Sequence, residues 1–298
     1  MKRTILFLLT NIAVLVTLSI TTSVVFAFLG VPLQQVFGEY AHLVVFAVVY
    51  GLGASFISLL LSKPMAKFST GAKTINGSEG EAERWLVQTV EDLARRANIK
   101  TPEVAVYPGA ANAFATGAFK NLALVAVSDQ IMGQMTKEEL RAVLGHEISH
   151  VANGDMVTLC LIQGVLNAFV IFFSRVIARI VASSGNGNNR RGGTNTVLYV
   201  AVATALDLAL GLLASLIVFW FSRKREYAAD AGSANLLGTP NSMIAALRRL
   251  GNLQPGVLPN SLKAMGIAEG KKSTSIWATH PSLEDRIAAL NRWGSGAV

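Results

Sequence analysis

The stretch that decides the fold is HEISH at residues 146–150, an H-E-x-x-H pattern. Thr136 and Glu139 have the spacing of a capping box, which predicts that a helix begins shortly before this stretch. On a helix, residues four apart are separated by about 40° of rotation, so His146 and His150 project from one face. Two imidazoles on one face can bind a single Zn²⁺, and Glu147 is placed to hold a water molecule and accept its proton.

A catalytic zinc ion usually has three protein ligands and one open position. No third histidine follows in residues 151–156 (VANGDM), so the third ligand must come from elsewhere. Glu226 and Asp230 are the best candidates, because residues four apart share a helix face. Glu226 can reach the metal, and Asp230 can accept a hydrogen bond from a ligand histidine. Taken alone, the two acidic residues fit a solvated helix start somewhat better, since acidic side chains favour first turns.

The composition is that of a membrane protein. Of 298 residues, 52% are hydrophobic and only 15% are charged, against about a quarter in soluble domains. Four apolar runs have the length that crosses a bilayer, at residues 5–29, 43–61, 157–181 and 197–221. The first run is longer than a signal-peptide core, which favours an uncleaved anchor over a cleaved leader. The net charge of +8 is explained by cytoplasmic loops rather than by a nucleic-acid partner.

The runs divide the chain into four parts. We predict a first transmembrane hairpin at 1–61, one half of a catalytic domain at 62–155, a second hairpin at 156–221 and the other half at 222–298. Basic residues are concentrated on one side of the runs, and Arg190 and Arg191 in the loop at 182–196 weaken this bias without reversing it. Both termini and the domain are therefore expected in the cytoplasm. One metal ion can join His146 to Glu226 only if residues 157–221 cross the membrane an even number of times. The predicted fold class is therefore α+β and mainly helical, with four hydrophobic helices and a cytoplasmic domain that the second hairpin splits.

Four motifs carry a resemblance to a known family. They are NAFATG (112–117), HEISHVANGD (146–155), RKREYAAD (223–230) and THPSLEDR (279–286). Together they resemble the HtpX-type heat-shock membrane metalloproteases, relatives of the CAAX prenyl endopeptidases, and the similarity covers the whole chain. The resemblance implies a gluzincin-like fold and endopeptidase activity on membrane proteins, with a quality-control role in the bacterial inner membrane. It assigns one Zn²⁺ to His146, His150 and Glu226, and the catalytic carboxylate to Glu147.

The resemblance also indicates a substrate path. In such enzymes the substrate adds as a strand beside the sheet edge above the active-site helix. Asn112, Ala113 and Phe114 lie in the stretch that resembles this edge, so we expect them to bind substrate, Asn112 through its side-chain amide. The alternative is a tightly packed turn that is selected for Gly117.

His280 and Arg286 are candidates for a supporting role. His280 follows a glycine-rich loop at 252–276 and can swing over the zinc ion, either to stabilise the oxyanion or to occupy the open metal position. Arg286, two turns further on, can support the same charge. The alternative for His280 is a solvent-exposed residue at a helix start.

The second hairpin contains two opposite charges, Arg175 and Asp207. They lie at nearly equal distances from the centre of the loop at 182–196, so antiparallel helices place them at similar depth. Charged residues inside a span usually face a partner, and we predict an ion pair, with Gln163 and Asn167 as further polar partners. Alternatively, Arg175 snorkels outward and Asp207 is protonated or faces water.

Two other functions compete with a quality-control protease. One is a dedicated processing protease for specific membrane or lipidated substrates. The other is a non-proteolytic membrane chaperone or adaptor with a structural zinc ion, although such sites usually use cysteines and the chain has only Cys160. The expected partners are membrane-protein substrates and the lipid bilayer, and a homo-oligomer is possible.

Overall fold

The computed structural model describes residues 40–184, 195–253, 267 and 280–293. The first apolar run and most of the predicted loops at 182–196 and 252–276 lie outside these residues. The described chain divides into two compact units. One unit contains residues from 40–58 and 160–218, and the other contains residues from 59–159 and 219–293.

The first unit consists of parts of three long apolar helices, which continue into the second unit. They are α1 (Ala41–Thr70), α5 (Asp155–Ser184) and α6 (Thr196–Leu237), and each is long and apolar enough to cross a membrane. Three of the four predicted hydrophobic helices are therefore present, and the fourth lies outside the described residues. Helix α6 differs from the prediction, because the apolar run and the stretch with Glu226 form one continuous helix of 42 residues. Residues 222–231 (SRKREYAADA) contain no helix breaker, and the helix ends before Gly238, which has a φ of +77°.

Helices α1 and α5 pack closely through small residues. An added Cβ at Gly51 would lie 2.4 Å from the backbone nitrogen of Ala168, so only glycine allows this approach. The side chain of Gln163 donates to Asn167, which in turn donates to Ser55 at 3.4 Å. These two amides therefore link α5 to α1, and the prediction that they accompany the Arg175–Asp207 pair is wrong.

Helices α5 and α6 are joined by the predicted ion pair. Arg175 Nη1 lies 2.8 Å from Asp207 Oδ2. Ser174, which the sequence did not indicate, donates to Asp207 Oδ1 at 2.5 Å and accepts from Arg175 at 3.0 Å. The predicted pairing is confirmed, with a serine as a third member.

The second unit contains a four-stranded sheet in the order β1-β2-β4-β3. Its strands are β1 (Lys73–Ile75), β2 (Glu103–Tyr107), β3 (Ala113–Thr116) and β4 (Leu124–Ser128). Strands β2 and β4 are parallel, and the outer strands β1 and β3 pair antiparallel with them. Strand β3 is thus an edge strand.

Helices complete the second unit. They are α2 (Glu81–Arg96), α3 (Asp129–Gln134), α4 (Lys137–Asn153), α7 (Asn241–Asn252) and α8 (Leu283–Asn291). Helix α4 carries the HEISH stretch and has the predicted capping box at Thr136 and Glu139. It ends at Gly154, which has a left-handed conformation with φ +71°, and α5 begins at the next residue.

Candidate metal centre

Both histidines of the HEISH stretch lie on the buried face of α4. His146 and His150 are one helical turn apart, and their Nε2 atoms are 3.0 Å from each other. Their rings meet edge to face. The side chain of Glu147, between them in sequence, is also fully buried.

Helix α6 brings a carboxylate to the two imidazoles. Glu226 Oε1 lies 3.3 Å from Nε2 of His150, and Oε2 lies 3.5 Å from Nε2 of His146. One ligand atom from each of these three residues falls within 4.8 Å of the others, so the group can hold a single metal ion. The predicted ligand candidates therefore come together, although about 80 residues separate them along the chain.

The approach of α6 to α4 depends on two glycine–serine contacts. An added Cβ at Gly232 would lie 2.4 Å from Oγ of Ser149, and one at Gly145 would lie 2.8 Å from Oγ of Ser233. Ser233 also donates to the backbone oxygen of Ala142 at 2.7 Å. These contacts set the separation between the histidine pair and Glu226.

Each imidazole has a second carboxylate on its other nitrogen. Asp230 Oδ1 lies 2.9 Å from Nδ1 of His146, as the spacing on α6 predicted. Asp155 Oδ2 lies 2.6 Å from Nδ1 of His150. Carboxylates in this position orient a metal-binding imidazole and make it more basic. Sequence reasoning missed Asp155, although it follows directly on Asn153-Gly154, a pair that is typical of a helix end.

Arg286 of α8 balances the negative charge of the site. Its guanidinium donates twice to Asp230, at 2.6 and 2.8 Å, and Nη1 lies 3.5 Å from Glu226. The side chain is almost fully buried. Burial opposes its charge, but the charge of Asp230 and the hydrogen bonds to it outweigh this, and the pKa of Arg286 is raised further.

His280 lies within the same group of residues. Its Nδ1 is 3.1 Å from Oε2 of Glu226, and only 6% of the residue surface is exposed. The alternative of a solvent-exposed histidine at a helix start is therefore wrong. The glycine-rich loop before it lies almost wholly outside the described residues.

The carboxylates raise the proton affinity of the metal-free imidazoles. Burial opposes protonation of His150, but hydrogen bonds to Asp155 and Glu226 outweigh it and raise its pKa to about 9. Burial and the neighbouring His150 oppose protonation of His146, and bonds to Asp230 and Glu226 again raise the pKa. Burial also raises the pKa of Glu147, because removal from water disfavours the charged carboxylate.

The donor set fits a divalent metal ion such as zinc. Two imidazoles and one carboxylate form a common ligand set of catalytic zinc. Both carboxylate oxygens of Glu147 are buried without a hydrogen-bond partner among the described side chains. Buried polar atoms without partners are rare in folded proteins, and an ion with its water is the natural partner for them.

Strand β3 is the edge strand at which we expected substrate to add, but the side chains of Asn112 and Phe114 are buried within the protein. Asn112 is buried, and its side-chain oxygen accepts from the backbone nitrogen of Ala113 at 2.9 Å. The ring of Phe114 packs 5.5 Å from that of Tyr107 in the core under the sheet. What β3 offers outward is its backbone, and Ile267 already donates to the oxygen of Ala113 at 3.1 Å.

A candidate metal centre and apolar helices of membrane length are features of membrane metalloproteases. The family model of peptidase family M48 matches residues 81–294, and the chain belongs to that family. "Protease HtpX homolog" of Verminephrobacter eiseniae is 52% identical over 294 residues, which are 97% of this chain and 98% of that protein. A protein of the same name from Leptothrix cholodnii is 50% identical over 299 residues, covering 98% and 99%.

A solved structure shares the fold. The crystal structure of S. mikatae Ste24p matches 95% of this chain with a TM-score of 0.62 at 19% sequence identity. The present chain covers 66% of the length of that protein. At this level of identity the likeness concerns the fold alone.

Proposed function

We propose that this protein is a zinc endopeptidase that cleaves misfolded or damaged membrane proteins at the cytoplasmic face of a bacterial inner membrane. One observation carries the proposal. Helix α6 contains an apolar run of membrane length and also supplies Glu226, which meets His146 and His150 beside the buried Glu147. A hydrolytic centre so close in sequence to a membrane helix suits substrates that lie in the bilayer.

Each residue of the site has a role in peptide hydrolysis. His146, His150 and Glu226 hold the zinc ion. Zinc supplies Lewis acidity towards the scissile carbonyl and the attacking water at neutral pH. Glu147 accepts the proton of that water and delivers it to the leaving amine, a task suited to a carboxylate with a raised pKa.

Further residues orient the ligands and the substrate. Asp230 and Asp155 fix the two imidazoles, and Arg286 holds Asp230 in turn. His280, next to Glu226, stabilises the negative charge that develops on the carbonyl oxygen. The substrate backbone pairs with the outer edge of β3, where Ala113 has room for main-chain hydrogen bonds once Ile267 is displaced.

The setting of the enzyme is part of the proposal. Basic residues after the first and second apolar pairs, such as Lys63 and Arg223, support a cytoplasmic location of the catalytic halves by the positive-inside rule. Substrates whose membrane segments have lost their packing expose cleavable, unwound backbone at that surface. Heat and envelope stress produce such substrates, which gives the enzyme its quality-control role.

The test uses the purified full-length protein in lipid vesicles with a destabilised model membrane protein as substrate. We expect one zinc ion per chain, and cleavage that Glu147→Gln lowers by about 10²–10⁴-fold while zinc is retained. Glu138→Gln, on the exposed first turn of the same helix, is the matched control and keeps activity. Cleavage that survives Glu147→Gln would overturn the proposal, and strict selectivity for one lipidated or processed substrate would favour a processing protease.

A further inference from the structure

The short turn that follows the edge strand exposes two large apolar side chains. Phe119 is 48% exposed and Leu122 is 57% exposed. Between residues 71 and 154, all of which the structure describes, no other large hydrophobic side chain is exposed to this degree. The two lie on either side of Lys120 and Asn121, which are exposed as well, in a 3-10 turn at Lys120–Leu122. We call residues 119–122 the apolar tip.

The apolar tip is fastened to the end of α4. The ammonium group of Lys120 donates to the backbone oxygen of Ala152 in the last turn of that helix. A cation there satisfies a carbonyl that the helix leaves unpaired and interacts favourably with the negative end of its dipole. The tip is therefore held in place by a specific contact, so the exposure of Phe119 and Leu122 is not the result of a loose loop.

The end of α4 is also the start of a membrane helix. Helix α5 begins at Asp155, three residues after Ala152, and its apolar run starts at Met156 and Val157. Met156 and Val157 are only four and five residues from Ala152 along the chain. The apolar tip thus sits beside the point where the chain enters its apolar run.

We propose that the apolar tip inserts Phe119 and Leu122 into the bilayer surface, as a second, shallow membrane anchor of the protease domain. An aromatic and an aliphatic side chain beside exposed polar residues suit the headgroup boundary, where apolar groups bury and polar groups remain at the surface. We assign lipid as the partner of the tip because the tip lies next to the residues at which the apolar run of α5 begins. Insertion into lipid also accounts for the exposure of these two side chains within residues 71–154, where the other large hydrophobic side chains are buried or partly buried.

The anchor has a consequence for substrate entry. Strand β3 ends at Thr116, three residues before Phe119, so the anchor holds one end of the edge strand at the membrane surface. A peptide segment that leaves the bilayer beside the tip can reach the backbone of β3 directly. This step rests on the proposed protease function, whereas insertion of the tip does not.

The experiment measures the depth of the tip in lipid. Cys160, the only cysteine, is replaced by Ser, and Leu122→Cys or Phe119→Cys then carries an environment-sensitive fluorophore in full-length protein. Glu138→Cys is the matched control, because it is exposed at the opposite end of α4, about 20 Å from Ala152 along the helix. The proteins are placed in phosphatidylcholine–phosphatidylglycerol vesicles with lipids that carry a quencher near the headgroup.

We expect severalfold stronger quenching, and emission at shorter wavelength, at positions 119 and 122 than at position 138. Two independent tip positions keep the test valid if one variant does not fold. Equal quenching at the tip and at position 138 would overturn the proposal. So would a tip label that is shielded from both lipid and aqueous quenchers, since that result means that protein covers it. Neither outcome depends on whether the protein cleaves peptides.

Discussion

Asp155 Oδ2 lies 2.6 Å from Nδ1 of His150, so the first residue of α5 orients the imidazole at the end of α4. The left-handed Gly154 between the two helices turns the chain so that this contact forms. A ligand of the candidate metal centre is thereby tied to the start of a membrane helix.

Asp155→Asn is expected to weaken zinc binding by about 10–100-fold, because the amide no longer holds His150 as a basic ligand. The measurement is competition with a chromophoric chelator. Asp129→Asn is the control, since that carboxylate bonds the backbone of Gly109 instead. Equal zinc affinity in wild type and Asp155→Asn would show that the contact does not support the ligand.

Arg286→Met is expected to lower the free energy of unfolding by about 3–5 kcal/mol, because it leaves the buried carboxylates of Asp230 and Glu226 without their cation. The loss should be larger without zinc than with it, since the metal ion also offsets the charge of Glu226. Denaturant unfolding with and without zinc measures both values. Arg248→Met, at an exposed position of α7, should change neither, and an Arg286 variant as stable as this control would contradict the account.

Much of the site follows from the sequence because its signals are local. The capping box at Thr136 and Glu139 and the stop at Gly154 define α4, and a spacing of four residues fixes which side chains share a face. The pairing of Glu226 with Asp230 on α6 is a local signal of the same kind.

The remaining features depend on tertiary contacts that no local pattern encodes. Strand β1 has only three residues and forms through its pairing with β2. Asp155 had no predicted role, and only the turn at Gly154 brings it to His150. Phe114 was predicted to bind substrate from its place in the NAFATG motif, but the sheet packs its ring into the core.

Ile267→Pro is expected to lower the KM for a peptide substrate by about two- to tenfold, the equivalent of one net hydrogen bond. Proline lacks the amide that now occupies the oxygen of Ala113, so the substrate no longer competes for it. Ile267→Ala is the control, because it removes the buried side chain and keeps the amide. If both variants change KM equally, the effect comes from the loss of the side chain. The amide of Ile267 then does not compete with the substrate for the oxygen of Ala113.

Gly232→Ala is expected to weaken zinc binding and to lower the free energy of unfolding by about 1–3 kcal/mol, because the new methyl group would overlap Ser149 and push α6 from α4. Gly133→Ala is the control, since a Cβ there meets no atom within 4 Å. Chelator competition and denaturant unfolding are measured on both. Unchanged zinc affinity in Gly232→Ala would show that the spacing of the two helices does not limit ligation.

Arg175→Leu is expected to destabilise the hairpin of α5 and α6, because Asp207 keeps its carboxylate but loses the guanidinium that lies 2.8 Å away. The second change, Asp207→Leu, should partly restore stability, since no unpaired charge then remains in the apolar segment. A double-mutant cycle in vesicles or mild detergent should give a coupling of about 0.5–2 kcal/mol.

The same variants should change zinc affinity in parallel, because α5 follows Asp155 and α6 carries Glu226. A double variant no more stable than the weaker single variant would contradict the pairing as a source of stability, and unchanged zinc affinity would separate the hairpin from the metal centre.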